Sequence, residues 1–104
     1  MSEILILSTA GTHEQAEQIS VALVENREAA CVNIIPRIQS IYRWEGKVCN
    51  DPEFLLIIKS RAEKFEAIRA RIKSLNSYAV PEIIGVPVTA GDPAYLSWLS
   101  SNCD

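Results

Sequence analysis

Long apolar runs, surplus positive charge and histidine are all scarce in this 104-residue sequence. No stretch approaches the ~20 consecutive apolar residues of a transmembrane helix, so no membrane partner is expected. Ten Lys and Arg against thirteen Asp and Glu leave a net charge of −3. That lacks the cationic excess that draws a protein to nucleic acid or acidic lipid. The opening MSEILILSTAGTHE has no basic n-region, and its apolar stretch is only four residues, so it is not expected to be a signal peptide. The three cysteines cannot all pair with one another, and free thiols in a reducing cytoplasm are expected. The single His, His13, has no neighbour in sequence that would make a metal or Cys–His pair. No glycine-rich phosphate loop and no RNP-like aromatic run is present. Without linkers, repeats or charge blocks, residues 1–104 read as one domain.

What is present is an alternation of strand and helix signals. Glu3–Ala10 (EILILSTA) is a short apolar run that fits a buried strand. Thr12 and Gln15 are spaced as a capping box for a helix running to about Asn26, with Ala16, Ile19, Ala22 and Leu23 on one face. Ala30–Trp44 is rich in β-branched and aromatic residues and reads as a long strand. One parity carries Val32, Ile34, Pro36, Ile38, Ser40, Tyr42 and Trp44. Pro36 belongs at an edge or a bulge. Glu45-Gly46-Lys47 reads as a hairpin tip, and the return strand is expected in two pieces, Lys47–Cys49 and Glu53–Ser60, divided at Asn50-Asp51-Pro52. Ser60 and Glu63 suggest a second capping box before a helix ending near Asn76. Glu82–Val88 reads as an edge strand, and Asp92 with Pro93 opens a last short helix. The tail Ser100–Asp104 is expected to fray. The order β-α-β-β-α-β predicts an α+β, ferredoxin-like split sandwich with a long protruding β2–β3 hairpin and a short C-terminal helix.

Fifteen residues of strand span roughly 50 Å if straight, whereas a compact chain of this length has a radius of gyration near 13 Å. The hairpin should therefore project, and the projecting part carries Ile38, Ile41, Tyr42 and Trp44. An isolated apolar ribbon is marginal in water, so a second subunit is expected to cover Tyr42 and Trp44.

Four motifs carry a resemblance: AACVNIIP-x-I-x-SIYRWEGK at 29–47, E-x-LLIIK at 53–59, Y-x-VPEII-x-x-PV at 78–88, and G-x-x-x-YL-x-WL at 91–99. Together they resemble the CutA family of divalent-cation tolerance proteins, collinearly and over nearly the whole chain. The resemblance implies a homotrimer of ferredoxin-like protomers, no established enzymatic reaction, and a link to tolerance of copper and other divalent cations. It also places Lys59, Tyr78 and Glu82 in a cleft between subunits, with Glu82 a candidate partner for the Lys59 ammonium. Cys31 matches a family position, and a soft thiolate there suits copper; its other reading is a small buried residue at a strand start. Cys49 and Cys103 carry no ligand spacing. Where the family commonly has His and Glu, this chain has Asn76 and Ala79, and Ala10-Gly11 replaces a Cys-Pro pair. An alternative function is a PII-like sensor binding a small anionic metabolite in the cleft. A phosphate-handling enzyme of acylphosphatase type is disfavoured, because Ser8–Thr12 holds no Arg.

Overall fold

Strands turn alternate side chains to opposite faces, and in β1 (Glu3–Ala10) one of those faces is closed by helices. The computed structural model describes residues 2–104. Ile6 and Ala10 are fully buried there beside Leu56 and Ile58 of β3 (Lys47–Arg61). Ala16, Ile19 and Leu23 of α1 (His13–Glu25) and Ile68 and Ile72 of α2 (Phe65–Leu75) complete this core. The remaining elements are β2 (Cys31–Trp44), a 3-10 turn at Ala62–Lys64, β4 (Ile83–Pro87) and α3 (Pro93–Ser101). The strand order β2-β3-β1-β4, antiparallel at every pairing, is the ferredoxin-like arrangement expected of the α+β pattern.

The second sheet face is mostly open. Leu5, Leu7, Leu55 and Ile57 lie on it half-buried, flanked by Ile35, Val86 and Ile84, the last 52% exposed. Only one end is covered, where Ser100 of α3 donates a hydrogen bond to Glu3.

The hairpin projects as its length demanded, and the molecule measures 44 × 25 × 22 Å. β1 ends at Ala10 opposite Phe54, so residues 38–53 beyond it form a two-stranded ribbon. At the tip, Glu45 (φ 49°) and Gly46 (φ 78°) both take the left-handed conformation, which suits the tight turn of a twisted hairpin.

Four local expectations are corrected. The return strand is continuous across Asn50-Asp51-Pro52, because one edge of the ribbon has no further strand and tolerates proline. The parity of β2 does not hold through its length. Two residues of β2, Pro36 and Arg37, stand against the single Phe54 of β3, and Arg37 adopts φ 55°. This bulge flips the strand: Val32 and Ile34 face the helices, whereas Ile38, Ser40, Tyr42 and Trp44 share the open face with Glu53 and Leu55. Ser60 does not cap a helix. It stays in β3 and donates its hydroxyl to the Glu28 carbonyl, and the turn begins after Arg61 without a side-chain cap. The tail is docked rather than frayed: Cys103 is fully buried, and Asp104 pairs with Arg27.

Candidate functional site

Thr12 and Asp92 cap α1 and α3 as their positions predict, accepting from the backbone N–H of Gln15 and Tyr95 at 3.1 Å each. Gln15 has a further task. Its side chain donates to the Leu75 carbonyl (3.3 Å) and accepts from the Ser77 N–H and hydroxyl (3.2 Å each). Asn76 then donates to the Thr9 carbonyl (3.0 Å) and accepts from the Tyr78 N–H (2.9 Å). These bonds fix the loop after α2 against the end of β1. They aim Tyr78 across Gly11, where an added Cβ would stand 3.1 Å from the Tyr78 hydroxyl.

The Tyr78 hydroxyl donates to Glu53 at 2.6 Å, and Glu53 is only 8% exposed. Burial, reinforced by that bond, raises the Tyr78 pKa well above the usual tyrosine value. One ribbon step away Tyr42 donates to Asp51, also at 2.6 Å, and this bond is the main reason its pKa is pushed up to about 12. Between the ribbon and the Ser77–Glu82 segment lies a cleft of about 650 Å³. Tyr42, Trp44, Glu53, Tyr78 and Glu82 line it, and among the described residues no Lys, Arg or His does.

The site residues expected from the sequence divide into two groups. Tyr78 and Glu82 share the cleft with Tyr42 and Trp44. Lys59 does not join them within the protomer. It pairs with Leu5 in the sheet, four β1 positions from Thr9 and so about 13 Å along the strand. No ion pair links Lys59 to Glu82 among the described residues. Its ammonium instead lies 5.7 Å from the centre of the Tyr95 ring, a cation–π contact that lets a half-buried lysine do without a carboxylate. Cys31 is half-buried, directly across the ladder from Lys59, while Cys49 lies in the ribbon and Cys103 is buried just past the end of α3, its thiol donating to the Leu99 carbonyl. His13 packs edge-on against Phe54, with ring centres 5.6 Å apart.

Among the described residues, no three His, Cys, Asp or Glu side chains come close enough to hold a metal ion. Two of the positions where the chain departs from the resemblance have structural roles here: Asn76 ties Thr9 to Tyr78, and Gly11 makes room for the Tyr78 ring. A copper site inside one protomer does not fit this donor set.

The model of the CutA1 divalent ion tolerance protein family matches residues 4–102. The chain belongs to this family. It is 46% identical over 100 residues to the divalent-cation tolerance protein CutA of Thermus thermophilus, covering 96% of this chain and 97% of that one. It is 40% identical to the chloroplastic protein CutA of Arabidopsis thaliana, covering 95% of this chain but 54% of that relative. The crystal structure of CutA from Xylella fastidiosa superposes with a TM-score of 0.97 at 40% identity, over the full length of both chains. The family is described by divalent-ion tolerance, not by a reaction.

Glu53 escaped the sequence reading. It stands before FLLIIK, at the start of the strand piece Glu53–Ser60, and was not singled out as a site residue. The available signal was Pro36, which announced a bulge; shifting the register by one brings Glu53 onto the face of Tyr42 and Trp44.

Proposed function

We propose that the protein works in the cytoplasm as a homotrimeric, non-enzymatic divalent-cation (copper) tolerance protein. The observation that carries the assembly is the open apolar sheet face, continuous with the face of the projecting ribbon that holds Ile38, Tyr42 and Trp44. Trp44 is 45% exposed in the protomer, and a neighbouring subunit is the natural cover for it. Tolerance rests on family membership, supported by relatives named for it. Since no three His, Cys, Asp or Glu side chains gather among the described residues of one protomer, metal contact in this reading falls to donors shared between subunits. Cys31 is the soft donor that remains at a family position.

The test is copper titration of the purified protein followed by native mass spectrometry. This reading expects trimers that take up copper, with uptake lost in Cys31→Ser. Uptake unchanged in that variant removes Cys31 as a ligand, and trimers that take up no copper remove direct metal binding. The sensor of an anionic metabolite is the weaker reading, because Lys59, its source of positive charge, lies outside the cleft within the protomer.

A further inference from the structure

Glu53 and Lys59 are separated by an even number of residues on β3, so both side chains leave the open face of the sheet. The strand between them spans about 20 Å, too far for the two to meet within one chain. Each is a charge without a counterion in the protomer. Glu53 is more than nine-tenths buried, and its hydrogen-bond donor among the described residues is the neutral Tyr78 hydroxyl, which bonds to Oε2. Lys59 is half-buried, and its ammonium lies against the Tyr95 ring and reaches no carboxylate among the described residues. The other charges around this face differ. Asp51 accepts from Tyr42, Glu3 accepts from Ser100, and Arg61 pairs with Glu63, while Lys47 and Glu82 are exposed in the protomer. Between Glu53 and Lys59 the ground is apolar: Leu55 and Ile57, with Leu5 and Leu7 beside them. The face is thus a strip with a negative end at the ribbon and a positive end at α3.

A second copy laid on this strip buries both ends. Burying either charge against apolar surface is costly, whereas burying each against the other is tolerated. That selects how copies meet: the positive end of one on the negative end of the next, beside Tyr42 and Trp44. Three copies joined head to tail close a ring with the same contact at every interface.

We propose that Lys59 of one subunit pairs with Glu53 of the next, so that the Tyr78–Glu53 site is completed by a neighbouring copy of the chain. The pair rests on the homotrimer reading and deepens it by naming the contact that orients one subunit on another. Tyr78 is a positioning residue: it holds Glu53 through Oε2 and leaves Oε1 for the ammonium. A lysine engaged in this way is not free for an anionic metabolite. Cys31, directly across the ladder from Lys59, is carried to the same interface.

The test is a double-mutant cycle on assembly of the full chain. It is read by sedimentation at a urea concentration that leaves the wild type half-assembled. Glu53→Gln keeps the shape and the bond from Tyr78, and Lys59→Met keeps most of the lysine stem. Each should raise the protomer concentration needed for half-assembly at least about tenfold. The double variant should stay within about threefold of the weaker single one, whereas independent residues would multiply to about a hundredfold. Glu66→Gln, on the exposed surface of α2, is the control and should multiply with Lys59→Met without coupling. Carbodiimide, which joins a carboxylate to an amine in contact, should link Glu53 to Lys59 between wild-type chains, as mapped by mass spectrometry of the peptides. Multiplying effects overturn the pair, as does a link from Lys59 to any other carboxylate, even where the wild type sediments as a trimer. A wild type that sediments as the 11.5 kDa protomer overturns the assembly reading itself, and the pair with it.

Discussion

Replacing Tyr78 by Phe removes one oxygen atom and tests how the cleft is held. The hydroxyl donates to Glu53 at 2.6 Å, and Glu53 has little water to turn to. Hydrogen bonds to charged groups contribute about 1.5–3 kcal/mol. Tyr78 is only partly buried, so the lower end applies, about 1.5 kcal/mol per protomer. Urea denaturation at fixed protomer concentration measures this, since an oligomer's apparent stability varies with concentration. A double-mutant cycle with Glu53→Gln isolates the pair, and a coupling of about 1 kcal/mol is expected. The same bond sets a pH dependence. The pKa of Tyr78 is raised in the folded state, so the unfolded chain loses the tyrosine proton first as pH rises above 10. The stabilisation is complete below pH 10 and is lost above it. Wild type should therefore lose more stability above pH 10 than Tyr78→Phe does. A variant within 0.5 kcal/mol of wild type by this ~1.5 kcal/mol argument, with an unchanged alkaline profile, would refute the coupling.

Tyr42 follows the same sign. With its pKa pushed up to about 12, Tyr42→Phe should delete an absorbance step at 295 nm that lies well above pH 10 in the native protein. Gly46→Ala meets no atom within 4 Å but retains a φ of 78°, so it should destabilise the hairpin by about 1 kcal/mol through backbone strain alone, read by thermal unfolding. In the double variant Cys31→Ser/Cys49→Ser the remaining thiol is fully buried Cys103. It should stay unreactive to Ellman's reagent until the protein unfolds, and prompt reaction would contradict the docked tail.

The parts of the fold legible in the sequence were those set by local chemistry. Thr12 and Asp92 announce helix starts because their short side chains satisfy orphan N–H groups nearby, whatever the rest of the chain does. The hairpin's projection follows from strand length alone. What the sequence left hidden depends on register and docking. Pro36 signals an irregularity, but nothing local specifies that Arg37 takes the left-handed conformation and turns Tyr42 and Trp44 toward Glu53. Ser60 carries a capping signal that loses to a tertiary bond with Glu28. Lys59 called for a partner, and within the protomer its ammonium lies against an aromatic ring on α3. The family resemblance placed Tyr78 and Glu82 in one cleft. The charge of that cleft emerges only when Glu53 is seen buried behind Tyr78.

The assembly is the claim on which the rest of the functional reading stands, and its mass is the direct measurement. Sedimentation equilibrium of the purified chain at micromolar concentration should return three times the 11.5 kDa of one protomer. A stable, dispersed species of 11.5 kDa would mean that the open sheet face and the ribbon are tolerated in water, contradicting the account.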